Sequence, residues 1–168
     1  QWNASFGCPI PKWNGKEGWL ALHLIHVLDD IGKPFHATLW ARLPRHYDDH
    51  SFGFVPGRRW EEAIVILHIV LWMINQFVFS WISAVYDMAN AFPSVRNAVL
   101  NNVIDRIAAG MPATILKQRH CDALLVLESS ECDREGHTHL ACYSTGVGDL
   151  QGDVPAPQKR ILAFDPCF

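Results

Sequence analysis

A long run without formal charge, from Ala63 to Tyr86, constrains this chain more than any other feature of its sequence. By length alone the run could span a bilayer at about 63–85, since about 20 apolar residues suffice for a spanning helix. Against a span, it contains five polar residues, His68, Asn75, Gln76, Ser80 and Ser83. Its composition also changes midway, from Leu, Ile and Met to the strand-forming Val, Phe and Trp. We therefore favour a buried helix at about 59–75, followed by a central strand that ends near Asp87.

The composition is that of a chain that can bury one hydrophobic core. Of its 168 residues, 49% are hydrophobic and 18% are charged. The net charge of −3 and the pI near 6.3 argue against electrostatic attraction to nucleic acid over the whole surface. Five cysteines without a secretory signal favour a reducing compartment, so we expect an intracellular protein, nuclear or cytoplasmic. Because the chain begins at Gln1 and ends with FDPCF, we expect a fragment.

The other segments predict a single domain that combines helices and strands. Residues 1–18 are rich in Gly, Pro, Trp and Asn and indicate irregular structure, and LALHLIHVLDD could be a strand or a helix. Helices are expected within 32–45, from Ser94 to Gly110 and at about 112–120. ALLVLESS and HLACYST then flank the polar turn ECDREG and predict a β-hairpin. A glycine-rich loop and a final helix follow.

Four residues near this hairpin have the side chains that bind zinc. Cys132, His137, His139 and Cys142 form the pattern C-x4-H-x-H-x2-C. The spacing fits no common zinc finger. In a hairpin, His137 and His139 would share one face of a strand and Cys142 would lie on the other, so convergence would need a bulge. We favour a polar turn without metal and keep a zinc-binding or nucleic-acid-binding module as an alternative.

Asp87 stands alone at the end of the uncharged run, in VYDMANAFPSV. A single aspartate in such a position most often serves as a cap or a turn residue. It can also hold a metal ion, because a strand fixes the carboxylate while the chain turns away and exposes its oxygens. The neighbouring motifs favour the metal.

Three motifs resemble those of reverse transcriptases of the non-LTR retrotransposon and group II intron kind. VYDMANAFPSV resembles the first catalytic motif, in which Ala and Phe follow the aspartate by four and five residues. FGFVPGRRWEEAIVIL is similar to the upstream GFRPGRS…DAI segment at Gly53, Phe54, Pro56, Gly57, Arg58, Ala63 and Ile64. GDLQGDVPAP is similar to the GVRQGDPLSP loop at Gly148 (or Gly146), Gln151, Gly152, Asp153 and Pro157. A fingers segment is matched at Lys12, Ile25, Leu28 and Lys33, so the resemblance covers about residues 8–165.

This resemblance implies an α/β (α+β) fold, with fingers at about 1–60 and fingers and partial palm at about 61–168. The palm would contain an antiparallel sheet with packed helices. The implied activity is nucleotidyl transfer from a dNTP to the 3′-hydroxyl of a DNA primer on an RNA template. In that family two Mg²⁺ or Mn²⁺ ions activate the hydroxyl and neutralise the leaving pyrophosphate.

The resemblance also assigns roles to individual residues. Asp87 would be the catalytic metal ligand, with the backbone carbonyl of Met88 beside it, and Phe92 would exclude a 2′-hydroxyl beneath the sugar. The nucleotide would further contact Gln151, Gly152 and Lys12, where glycine permits close backbone approach and lysine supplies a point charge for the triphosphate. The template and primer region would include Gly57 and Arg58.

The chain also departs from the family pattern. The Tyr-x-Asp-Asp turn, whose aspartates complete the metal site, does not occur in the sequence. Asp48 and Asp49 precede the first motif in a polar loop, and we do not expect them to replace it. His23 and Val55 stand where the family has arginine, and Pro93 where it often has aspartate. Since one carboxylate cannot hold two metal ions, we expect that this chain does not polymerise DNA by itself.

Overall fold

The structure is a computed structural model that describes residues 3–12, 15, 17–87, 91–92, 94–132, 135 and 138–164. These residues form a four-stranded mixed sheet and five α-helices, which confirms the expected α+β class. In chain order the elements are β1 (Ala4–Pro11), β2 (Leu22–Leu28), α1 (Gly32–Ala41), α2 (Trp60–Gln76), α3 (Asn97–Ile107), α4 (Gly110–Cys121), β3 (Leu124–Cys132), β4 (Thr138–Ser144) and α5 (Ala156–Phe164). A short 3-10 turn, Gly18–Ala21, precedes β2.

The sheet has the strand order β2-β1-β3-β4. β1 pairs antiparallel with β2, and β3 pairs antiparallel with β4 as the predicted hairpin. β1 and β3 are parallel, with Ser5 opposite Leu125, so the expectation of an antiparallel sheet was wrong. The reason is the chain between β2 and β3, which contains four helices and can therefore return β3 in the direction of β1.

β1 occupies a segment for which irregular structure was expected, and that prediction was wrong. Its parallel partner β3 covers only Ala4–Phe6, so Pro9 and Pro11 lie where β1 has a neighbour on one side alone. Proline is tolerated there because the missing N–H removes no bond to a second strand. The segment after it, ambiguous in sequence, is the strand β2.

Most of the core lies between helices. Its largest cluster joins Trp40 of α1 and Leu162 of α5 to side chains of α3 and α4. α3 buries its apolar residues at helical spacing, Leu100, Val103, Ile104 and Ile107. The predicted helix is therefore confirmed, but Arg96 and not Ser94 precedes its first turn, and Gly110, with φ of +63°, begins α4.

The uncharged run forms a helix but not a buried one. α2 matches the helix expected at 59–75, yet none of its residues is buried. The strand expected before Asp87 is not formed, because residues 79–87 are irregular and their side chains are exposed. A strand persists when a neighbour satisfies its backbone groups, and none of the four strands pairs with this segment. Among the described helices, none is both long and apolar enough to cross a bilayer.

Candidate functional site

Asp87 and Phe92 line one cleft of about 710 Å³, which we call the Asp87 cleft. Its walls are formed by the loop at 48–54, by the end of the uncharged run and by one face of α5. Two residues that the resemblance links to the metal and the sugar of a nucleotide are therefore brought to the same cavity.

A second carboxylate lies on this cleft. Asp48, which we did not expect to replace the missing aspartates, is half-buried in the loop that forms one wall, and His50 lines the same wall. Carboxylate oxygens are the ligands that Mg²⁺ and Mn²⁺ prefer, usually completed by water. In the part of the chain that the structure describes, no three His, Cys, Asp or Glu side chains converge as a ready set of metal ligands. Asp48 and Asp87 are the carboxylates of the cleft, and each could supply an oxygen ligand to a divalent cation.

Arg58 fixes the loop that carries Asp48. Its guanidinium donates to the backbone carbonyls of Asp48 and Ser51, the latter at 2.8 Å, and lies 3.4 Å from a carboxylate oxygen of Asp49. Within the loop, the Asp48 carboxylate accepts the backbone N–H of His50 at 2.7 Å. Arg58 itself does not line the cleft, so it acts on this site through the loop.

The turn at Pro56 and Gly57 gives a structural reason for glycine at position 57. The N–H of Arg58 donates to the carbonyl of Val55 at 3.2 Å across Pro56 and Gly57, and Gly57 has φ of +79°. Proline followed by a residue with positive φ is the pattern of a type II turn, which favours glycine. Just before it, Phe54 has φ of +57°, an unfavourable conformation for a non-glycine residue, and its 69% exposed side chain lines the cleft. The GFVPG segment therefore shapes the rim of the cleft.

The opposite side of the cleft is aromatic and cationic. The guanidinium carbon of Arg160 lies 5.8 Å from the ring centroid of Phe92 and 6.0 Å from that of Phe164. Both distances are within reach of a cation–π interaction. Sequence reasoning missed Arg160, because α5 offered only its apolar content as a signal. The cleft thus combines carboxylates with an arginine held against aromatic rings.

Gln151 and Gly152 lie away from this cleft and dock their loop on β2. The Gln151 side chain is hydrogen-bonded to the ring of His23. The backbone carbonyl of Gln151 accepts the backbone N–H of His26 at 2.8 Å. Gly152 has φ of +119°, and a Cβ built on it would lie 2.5 Å from the carbonyl oxygen of His26. The close backbone approach expected of this glycine is therefore to a strand of its own chain.

The remaining predicted residues do not join the cleft. Lys12 lies at the end of β1, where its N–H donates to the carbonyl of Ala21 at 2.6 Å, and it does not line the cavity. Met88 lies outside the described residues. Of the eight residues that the resemblance assigned to the site, the structure brings Asp87 and Phe92 together.

Two buried ion pairs hold the loop that contains Gln151 and Gly152. Lys159 of α5 lies 2.6 Å from Asp149, and Arg119 of α4 lies 3.2 Å from Asp153, with all four side chains no more than 3% exposed. Burial raises the pKa of Asp149, and the ammonium group of Lys159 opposes this rise. The N–H of Asp149 donates to the carbonyl of Phe92 at 3.2 Å and so links this loop to the cleft. None of these pairs was predicted from sequence.

The alternative zinc site is only partly within the described residues. His137 lies outside them, and of Cys132 only its place in β3 is described. His139 and Cys142 are both exposed and stand three positions apart in β4, which places them on opposite faces of the strand. These two residues therefore do not form half of a tetrahedral site.

Comparison with known proteins assigns no family. No family model matches the chain, and no curated protein matches it. The resemblance to reverse transcriptases stays a prediction that depends on the three sequence motifs.

Proposed function

We propose that this chain is the fingers and partial palm portion of an RNA-directed DNA polymerase, that its Asp87 cleft binds a nucleotide with a divalent cation, and that it does not extend a primer alone. The observation that carries the proposal is the common cleft of Asp87 and Phe92, two residues of the first motif to which the resemblance assigns contacts with the metal and the sugar.

The chemistry of the cleft supports a ligand of this class. A nucleotide with its metal ion presents a cation, an anionic phosphate chain and a flat base. Asp87 and Asp48 offer oxygen ligands to the cation, and Arg160 offers a planar donor to phosphate. The rings of Phe54, Phe92 and Phe164 provide apolar surface for the remainder.

The carboxylates of the cleft also explain why we expect the chain not to polymerise DNA. Two-metal transfer needs carboxylates that would hold two cations, and these cations would stabilise the attacking and the leaving oxygen. Asp48 already accepts the N–H of His50 and belongs to a loop, so it does not stand in for an adjacent pair of aspartates on one turn. One cation with its nucleotide is the complex that these residues support.

The test is whether the chain binds a dNTP in the presence of Mn²⁺. Calorimetry and the paramagnetic relaxation of water protons measure this binding. Asp87→Asn is expected to weaken binding of the metal–nucleotide complex at least tenfold, equivalent to about 1.4 kcal/mol. Asp30→Asn removes the same charge from an exposed turn outside the cleft and serves as the matched control. Equal binding by both variants, or no binding by the unmodified chain, would falsify the proposal.

A primer-extension assay tests the expected inactivity. With Mg²⁺, dNTPs and a DNA primer on an RNA template, the chain is expected to add no nucleotide. Extension that Asp87→Ala abolishes would contradict the inactivity and support the polymerase class. Extension that persists in Asp87→Ala would contradict both.

A further inference from the structure

A second cavity, of about 390 Å³, is lined by α1 and by the C-terminal half of α4. We call it the α4 cavity, and none of its lining residues lines the Asp87 cleft. α4 contributes Ile115, Gln118 and Arg119, and Asp122 follows at the end of the helix. These residues recur at helical spacing, so one face of α4 forms a wall of the cavity. The volume lies within the range of about 300–1,000 Å³ that is usual for small-molecule sites.

His36 of α1 brings a buried hydrogen-bond acceptor to the α4 cavity. It lines the cavity although it is only 3% exposed. Its Nδ1 lies 2.7 Å from the carbonyl oxygen of Gly32 and, since a carbonyl only accepts, this nitrogen carries the proton. Burial lowers the pKa of His36, so the ring is neutral at pH 7 and Nε2 is an acceptor. In the part of the chain that the structure describes, no donor reaches Nε2, and a donor of a ligand would satisfy it.

The charges around the α4 cavity favour a cation. The guanidinium of Arg119 lies 3.2 Å from Asp153 in a buried ion pair, so its positive charge is compensated. Asp122 is exposed, and its carboxylate forms no ion pair with another described residue. It also stands at the C-terminal end of α4, where the helix dipole adds a partial negative charge. An ammonium or amidinium group would be attracted to this end of the cavity, whereas a phosphate or carboxylate would be repelled.

The other walls of the α4 cavity fit an apolar body. Phe35 contributes an aromatic ring that is 38% exposed, and Ile115 contributes an aliphatic side chain. The face of an aromatic ring also attracts a cation. A bare metal ion is not favoured, because no three His, Cys, Asp or Glu side chains converge among the described residues. The cavity therefore combines the features that recognise an organic cation.

We propose that the α4 cavity binds a small organic cation, a primary amine or an amidine joined to a flat apolar group. The cationic N–H groups pair with the carboxylate of Asp122 and donate to Nε2 of His36. The apolar group packs on Phe35 and Ile115. This site is independent of the proposed nucleotide binding, because it lies in a different cavity and takes a ligand of opposite charge.

Benzamidine is the probe, because it joins an amidinium group to a single phenyl ring. Calorimetry of the full chain at pH 7 is expected to give a dissociation constant below about 1 mM, in the range of good ligands of this size. Asp122→Asn is expected to weaken binding at least about tenfold, since it removes the charge and keeps the size of the side chain. Glu128→Gln removes a charge from β3 and keeps an acceptor for Thr138, and this control is expected to bind benzamidine as the unmodified chain does.

A neutral ligand and a filled cavity test the chemistry and the location separately. Benzamide has the shape of benzamidine without its charge and is expected to bind at least about tenfold more weakly. Ile115→Trp places a large ring in the cavity and is expected to abolish binding, with an unchanged far-UV circular dichroism spectrum. NMR of the chain labelled with ¹⁵N at histidine tests the contact with His36. Benzamidine is expected to shift the Nε2 resonance of one ring, and His36→Phe is expected to remove that resonance.

Three results would overturn the proposal. The first is the absence of benzamidine binding at millimolar concentration, and the second is equal binding of benzamidine and benzamide. The third is binding that both Asp122→Asn and Ile115→Trp leave unchanged, which would place the cation outside the α4 cavity.

Discussion

The carbonyl oxygen of His26 occupies the space in which a β-carbon on Gly152 would lie, at 2.5 Å from that atom. The neighbouring Gln151 carbonyl accepts the N–H of His26, so the loop of the third motif packs directly on the edge strand β2. Gly152, which the resemblance places beside a nucleotide, therefore has a structural role in this chain.

Gly152→Ala is expected to lower the free energy of unfolding by about 2–3 kcal/mol, because the methyl group meets backbone and φ of +119° is strained for alanine. Urea denaturation followed by circular dichroism measures the loss. Gly53→Ala is the control, since its φ is not in the left-handed region and no atom lies within 4 Å of the added carbon. A change below about 0.5 kcal/mol for both variants would contradict the close packing.

Short-range patterns predicted much of the secondary structure. α3 and the β3–β4 hairpin follow from apolar spacing and turn residues that lie within one segment, and both are present. The predictions that were wrong concern segments whose structure depends on what packs against them. VFSWISAVYDM has strand composition, but no strand of the sheet lies beside it, and β1 is a strand despite its prolines because β2 and β3 pair with it.

The candidate site shows the same limit. Asp87 and Phe92 were predicted because they belong to one motif. Asp48 and Arg160 come from distant segments, and only the tertiary fold brings them to the cleft. The buried pairs of Asp149 and Asp153 could not be read from the loop, because their partners lie on α5 and α4.

Removal of the Arg119 side chain is expected to destabilise the fold strongly. Arg119→Met would leave the Asp153 carboxylate buried without its counter-charge, at a cost of about 3–5 kcal/mol. Lys117 is on the same helix as Arg119, and Lys117→Met breaks its exposed pair with Asp105 of α3, which should cost less than about 1 kcal/mol. Urea denaturation compares the two. Adding Asp153→Asn to Arg119→Met is expected to restore part of the stability, and a purely additive loss would argue against the ion pair.

Acid is expected to unfold this protein partly through His120. The side chain is fully buried, and its burial, with a smaller effect of the Lys159 ammonium, lowers its pKa to about 3. Because the pKa in the folded state lies below the ordinary value of 6.5, the unfolded state binds the proton more tightly. The contribution of His120 to stability is therefore complete above pH 6.5 and is lost as the pH falls from there toward 3. Between pH 7 and pH 4 the loss is about 3 kcal/mol.

His120→Gln is expected to reduce this acid sensitivity, since glutamine cannot take up the proton and its amide can still donate to the Asn101 side chain, as His120 does at 2.9 Å. Urea denaturation at a series of pH values measures the slope. His139→Gln changes an exposed histidine of β4 and should leave the slope as it is. Parallel pH profiles for the unmodified chain and His120→Gln would refute the prediction.

Gln158 of α5 accepts three hydrogen bonds on one oxygen. Its Oε1 lies 2.6 Å from Trp40 Nε1, 2.7 Å from a guanidinium nitrogen of Arg45 and 3.1 Å from the hydroxyl of Tyr47. Gln158→Met would leave the buried indole N–H of Trp40 without an acceptor, which is expected to cost about 1–3 kcal/mol. Gln118→Met, at an exposed position of α4, is the control and should change stability by less than about 0.5 kcal/mol.

Gln158→Glu separates the hydrogen bonds from side-chain volume. A carboxylate can share three donors between two oxygens and forms a charge-assisted bond with Arg45, so this variant is expected to be as stable as the unmodified chain, or up to about 1 kcal/mol more stable. Thermal and urea unfolding at pH 7 measure the difference. Because the gain requires an ionised glutamate, it should disappear as the pH falls below about 4. Equal destabilisation by Gln158→Met and Gln158→Glu would show that the three donors do not depend on the acceptor at this position.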